Sequence, residues 1–171
     1  MESRHLEFAQ PDRFVAGAAG DGAQRRFYVQ VREGSVLATV AITRGQLTML
    51  SLHLGTVLDE VARLAVDDTA EADRTVDVGP LEVPLFALFT ANHLQVGWDP
   101  VAGIVRVSLT DPDLEPPYSL DVLLTPKMAR RFGTRASRVI RDTPACPLCA
   151  QQIAPEGHVC PRLDGYRAVR L

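Results

Sequence analysis

The sequence predicts an α+β fold: two tandem βββα repeats with antiparallel sheet, followed by a C-terminal zinc knuckle. Three observations lead there. Apolar residues alternate with period two through several short runs, then twice switch to the three-and-four spacing of a helix. The second helical stripe falls on the first after a shift of 82 residues. All three cysteines lie inside one seventeen-residue stretch near the end, CPLCAQQIAPEGHVCPR.

The first strand is expected over Arg13 to Ala18, turning through the glycine-rich GAAGDGAQ. Phe27, Val29 and Val31 then alternate with polar neighbours, the mark of a half-buried strand. Glu33-Gly34 supplies a tight turn, and Val36, Ala38, Val40 and Ile42 alternate on its far side, which reads as a hairpin. From Thr43, a good N-cap, Leu47, Leu50, Leu54, Val57, Val61 and Leu64 form an amphipathic stripe. Gly55 interrupts that helix at a cost of about 1 kcal/mol relative to alanine, so a close neighbour is expected to pack there.

Residues 65–85 read as an acidic linker, and the same order then returns. Leu94, Val96 and Trp98 alternate, DPVAG turns the chain, and Val105, Val107 and Leu109 share one face. The proline-rich DPDLEPPY leads to a third run with Leu120, Val122 and Leu124 alternating. Thr125 caps the second helix, and Pro126 takes the first helical position, where its missing N–H is no loss. Thr43 aligns with Thr125, Leu50 with Phe132, Val57 with Val139 and Leu58 with Ile140, while Phe14 and Phe89 open the two halves. The expected organisation is a first repeat over 1–64, a linker over 65–85, a second repeat over 86–142 and a knuckle with basic tail over 143–171.

With 46% hydrophobic and 23% charged residues, the 171-residue chain has the balance of a globular protein able to bury a core without covalent staples. No apolar run approaches the roughly 20 residues of a membrane span. The start, MESRHLEFAQPDRF, lacks a basic region followed by an apolar stretch, so a cytoplasmic protein with no membrane partner is expected. An odd cysteine count agrees, since a disulfide framework favours even numbers.

Charge is divided between the ends. Residues 126–171 carry nine Lys/Arg against three acids, a balance of +6, whereas the remaining 125 residues carry nine against eighteen, or −9. Such a division steers a polyanion or an acidic partner to one end, or draws the two ends together within one fold. On the second helix Arg131, Arg135 and Arg138 are spaced for one outer face. Arg162, Tyr166 and Arg167 extend this candidate partner or polyanion surface into the tail, with Tyr166 available to stack on a base. A row of solvated charges explains the same pattern without a ligand.

Cys146 and Cys149 form C-x-x-C, and His158-x-Cys160 follows after eight residues. These supply four soft or borderline ligands, the number that a tetrahedral structural zinc site takes. Zinc is therefore the expected cofactor, in a closed and structural site. A redox dithiol belongs after a strand at a helix start, whereas this pair follows a helix and would leave Cys160 and His158 unexplained.

No phosphate loop or G-x-S-x-G elbow is present. His5, His53 and His93 read as surface or packing residues, and no catalytic or cofactor-binding residue is assigned. An enzyme stays open only because catalytic groups assemble from distant positions.

DRFVAG, GWD and the terminal CPLC…P-x-GHVCPR-x-x-GY together resemble a family of uncharacterised actinobacterial proteins with a repeat-containing domain of unknown function. The ParJ-type partner of the chromosome-segregation ATPase ParA looks like a member of the same family. Ala150 departs from the glycine expected after the second cysteine, without removing a ligand. The resemblance implies a cytoplasmic, non-enzymatic protein that regulates another by contact, with a ParA-type ATPase as the implied partner. Residues and resemblance together predict a zinc-binding adaptor or regulator that binds protein. A nucleic-acid-binding protein using the basic second helix and knuckle is the alternative, and a hydrolase or nuclease with a site between the repeats is the weaker one.

Overall fold

Two four-stranded sheets and two helices share a single core in the computed structural model, which describes residues 4–21, 24–64, 75–149, 151, 153 and 160–162. The elements are β1 (Arg4–Phe8), β2 (Arg13–Ala19), β3 (Arg26–Glu33), β4 (Val36–Ile42), α1 (Arg44–Leu64), β5 (Phe89–Thr90), β6 (His93–Asp99), β7 (Ile104–Asp111), β8 (Tyr118–Leu124) and α2 (Pro126–Arg141). The fold is α+β, but each helix follows four strands rather than three. The sheets run β2-β3-β4-β5 and β1-β8-β7-β6.

Each sheet is thus an antiparallel meander of three consecutive strands with one parallel strand at its edge. The expected purely antiparallel pairing is corrected at those two edges. β1 lies beside β8, with Phe8 opposite Val122, and β5 lies beside β4, with Phe89 opposite Val40. Five residues of RHLEF and two of FT are too short to declare themselves by periodicity. Their partners, more than 100 and nearly 50 residues away in the chain, decide their conformation.

Local chemistry fixes the turns and helix starts. Gly34 takes φ +57° between β3 and β4, and Gly103 takes φ +67° between β6 and β7, both left-handed conformations that favour glycine. Thr43 and Gln46 form a reciprocal capping box: the Gln46 amide donates to the Thr43 hydroxyl at 3.2 Å, and the Thr43 amide to Gln46 Oε1 at 2.7 Å. Thr125 accepts from the Met128 amide at 3.3 Å with Pro126 in the first turn.

Leu47, Leu50, Leu54 and Leu58 of α1 and Ala129, Phe132 and Ala136 of α2 join the inner faces of both sheets in one cluster. Phe14 and Phe132 stack at 4.4 Å between ring centroids, fastening β2 to α2. α1 lies along α2 and on β6, whereas α2 lies on β2. Gly55 has no atom within 4 Å of where a Cβ would stand, so the expected close packing there is absent among the described residues. No helix among them is long and apolar enough to cross a membrane.

Residues 75–88, the described part of the expected 65–85 linker together with the first three residues of the expected second repeat, cross the outer face of the β2-β3-β4 meander as a strap. Gln30, 2% exposed, grips the strap backbone in both directions: its Nε2 donates to the Glu82 carbonyl at 3.0 Å, and its Oε1 accepts from the Glu82 amide at 2.7 Å. Gly17 leaves room for Leu81, whose Cγ lies 2.6 Å from the position a Cβ would take. The strap buries Val15, Gln30 and Thr39 on the sheet's second face. Polar side chains are tolerated there because Gln30 also donates to the Thr39 hydroxyl at 3.0 Å.

Candidate functional site

After α2 ends at Asp142, whose amide donates to the Arg138 carbonyl at 2.9 Å, the chain turns into the cysteine segment. Arg44 at the start of α1 donates to the Thr143 carbonyl and ties this exit to the body. Two backbone bonds close a small loop: Cys146 N–H to the Gln151 carbonyl at 2.7 Å, and Ile153 N–H to the Pro144 carbonyl at 2.9 Å. C-x-x-C lies inside that loop, so one turn presents both sulfurs to the same side.

The sulfurs of Cys146, Cys149 and Cys160 all lie within 4.8 Å of one another, and none is in a disulfide. Cys146 and Cys160 are buried and Cys149 is half-buried. The Sγ atoms of Cys146 and Cys160 are 3.8 Å apart. Two thiolates bound tetrahedrally to one ion at about 2.3 Å each would stand roughly 3.8 Å apart, so the spacing suits a metal ion. Backbone amides of Cys149 and Leu148 point at the Cys146 sulfur and lower its pKa, while burial pushes the Cys149 thiol up. A set of three converging thiols, one with its pKa lowered by N–H donors, could hold a soft or borderline metal ion. His158, the expected fourth ligand, lies outside the described residues.

The expected arginine ridge is divided by the fold. Arg138 and Arg162 are exposed, and Arg131 is half-buried with its Nη2 on the Thr75 hydroxyl at 2.8 Å. Arg135 is buried at 8% exposure and does not belong to an outer face. The reason was legible: Arg135 stands three residues after Phe132 and four before Val139, inside the apolar stripe. Tyr166 and Arg167 lie outside the described residues.

Arg135 instead centres a charge cluster that no local motif announced. Its Nε donates to the Ala16 carbonyl on edge strand β2 at 2.6 Å, and its Nη1 to the carbonyl and carboxylate of Asp77 at 2.6 and 2.9 Å. Arg13 meets the same carboxylate through Nε at 2.6 Å and Nη2 at 3.0 Å, and reaches Glu82 at 3.3 Å. Glu82 also pairs with Arg32 at 3.3 Å. The Arg13 hydrogen bond is the largest influence holding the Asp77 carboxyl below the usual carboxylate range. Burial lowers the pKa of Arg135, opposed by Asp77. The cluster nails the strap to β2 and α2 at once.

A second group of ligand-type side chains, His5, Glu7 and Asp121, gathers on the open face of the other sheet. His5 Nδ1 is 2.9 Å from the Ser119 hydroxyl, and Arg106 neutralises the acids at 3.0 Å from Asp121 and 3.8 Å from Glu7. This is the pattern of a solvated charge ladder.

No curated protein matches the chain, and no solved structure matches it. One family does, over residues 6–160. The chain belongs to that family, which is described as a protein of unknown function, DUF3090.

Proposed function

We propose that the chain is a cytoplasmic, non-enzymatic zinc-binding regulator or adaptor that acts by contact with a protein partner. The observation that carries the partner is the strap. It is held by the Arg13–Asp77–Arg135 cluster and the Gln30 grip, yet it presents Val78, Val83 and Phe86 to solvent at 77%, 83% and 76% exposure. Large apolar side chains held out on an anchored backbone favour recognition by another protein.

Zinc is the metal this reading assigns, with His158 completing Cys146, Cys149 and Cys160. The all-thiol part of the set and the C-x-x-C…H-x-C spacing support it. Thiolate ligands also suit a reducing compartment. When bound, zinc would fix the terminal segment on the body; it has no catalytic part here.

The reading includes an internal duplication, with 1–64 and 86–142 as intertwined halves. Ser51 meets the Gly133 carbonyl at 3.2 Å across the helix pair, and these positions are separated by the same 82 residues that superimpose the helical stripes. Phe8 beside Val122 and Phe89 beside Val40 support equivalent roles for β1 and β5, so Phe8 rather than Phe14 is the counterpart of Phe89.

A ParA-type partition ATPase is the partner favoured by the likeness of the terminal motif. The test is a titration of the labelled, zinc-loaded chain with that ATPase, beside a Val83→Asp/Phe86→Asp variant. Saturable binding at about micromolar Kd, weakened at least about tenfold by the variant, is expected. Absence of binding at about 50 µM removes this partner.

Nucleic acid is the second reading, favoured by one feature. Helix α2 carries Lys127, Arg130, Arg131, Arg138 and Arg141 besides the buried Arg135, and no acid. Polyanion binding through them would fall steeply with salt and vanish on neutralising Arg131 and Arg138.

A further inference from the structure

Between the strap and α2 lies an open cleft of about 420 Å³, a size that admits a small organic ligand. Its walls are mainly apolar, formed by Ala19 at the end of β2, Val83 and Leu85 from the strap, and Val139 from α2. Arg135 lines it as well, and is more than nine-tenths buried. The Nε and Nη1 of that guanidinium are committed to Ala16 and Asp77, whereas among the described residues nothing bonds its Nη2.

Among the described residues, Arg13, Arg32 and Arg135 meet two carboxylates, Asp77 and Glu82. Arg25 and the exposed Asp142 also line the cleft. The Thr143 hydroxyl in the same wall is buried and has no hydrogen-bond partner among the described residues.

We propose that this cleft binds a small organic acid, its carboxylate on Nη2 of Arg135 and its hydrocarbon body against Ala19, Val83, Leu85 and Val139. A carboxylate matches that remaining donor, because a hydrogen bond between two charged groups is about twice as strong as a neutral one. The apolar walls suit a short aliphatic or aromatic body. Inorganic phosphate, with a larger charge and nothing to fill the hollow, fits less well. The site shares Val83 with the surface proposed for the protein partner and uses none of the cysteines, and an acid bound there would brace the strap against α2.

The test uses the full-length, zinc-loaded chain and three probes: hexanoate, its neutral counterpart hexanamide, and inorganic phosphate. Binding is followed by calorimetry and by the NMR signal of the Arg135 Nε–H. Hexanoate should saturate one site with a Kd of about 1 mM and shift that signal, with hexanamide and phosphate at least about tenfold weaker. Ala19→Leu fills the hollow without touching the charge cluster, and should abolish hexanoate binding while leaving the circular dichroism spectrum unchanged. Arg135→Lys, which keeps the charge but loses the fixed Nη2 donor, should weaken hexanoate at least about fivefold. No saturable hexanoate binding up to about 10 mM would overturn the proposal. So would equal binding of hexanamide, or undiminished hexanoate binding by a folded Ala19→Leu chain.

Discussion

Replacing Asp77 with alanine removes the carboxylate that Arg13 and Arg135 share. Arg13 loses contacts at 2.6 and 3.0 Å, Arg135 loses one at 2.9 Å, and the Gly79 amide loses one at 2.8 Å. Arg13 keeps Glu82 at 3.3 Å and the carbonyls of Gly79 and Pro80. Arg135 keeps only carbonyl oxygens, those of Ala16 and residue 77, and its side chain is 9% exposed. Stranding one partner of a fully buried pair costs about 3–5 kcal/mol. Asp77 is 35% exposed, so water screens part of that, and a loss of about 2–3 kcal/mol is expected. Urea unfolding at neutral pH measures it, provided the slope against denaturant is unchanged. The control is Asp121→Ala, which breaks a 3.0 Å pair with the half-exposed Arg106 and should cost under about 1 kcal/mol. Hydrogen exchange should also quicken along residues 75–88 in the Asp77 variant alone. Equal losses in the two variants, with the strap still protected, would refute the cluster as its anchor.

Three further outcomes follow from the same packing. Gly17→Ala drives a Cβ to 2.6 Å from Leu81 Cγ and should cost about 1–3 kcal/mol. Adding Leu81→Ala should cost less than its own separate loss, so strict additivity in chemical denaturation would contradict the contact. Gln30→Leu leaves the Glu82 amide and carbonyl without their partner and should cost about 2 kcal/mol; an unchanged urea midpoint would count against the grip. The Asp77 carboxyl, held low chiefly by Arg13, takes up its proton more readily unfolded than folded. Its stabilisation is full above the ordinary carboxylate pKa of about 3.9 and is lost as pH falls through the lower folded value. Asp77→Asn should therefore flatten that part of the acid limb of the stability curve, and an identical limb would contradict the assignment.

The meanders and helices were readable because period and cap chemistry are local. Thr125 with Pro126, Thr43 with Gln46, and the alternation of Val105, Val107 and Leu109 need no distant partner to be recognised. β1 and β5 escaped because a short parallel edge strand takes its conformation from its neighbour. The strap escaped for a related reason. Its acidic composition suggests solvent, whereas Asp77 and Glu82 are answered by Arg13, 64 and 69 residues away. Arg135 was misassigned to the surface because arginine outweighed position. Its place in the Phe132–Ala136–Val139 stripe already put it on the packed side. At the cysteine segment the spacing alone pointed to convergence, and the three sulfurs do converge.

The central claim, a zinc-holding terminus on a partner-binding body, rests most directly on the metal. Native mass spectrometry of the chain, purified without chelators, should show about one zinc per molecule. Cys146→Ser should lose most of it, and His158→Ala should weaken its retention against a competing chelator. Far less than one equivalent in the unaltered chain, with Cys146→Ser changing nothing, would contradict the account.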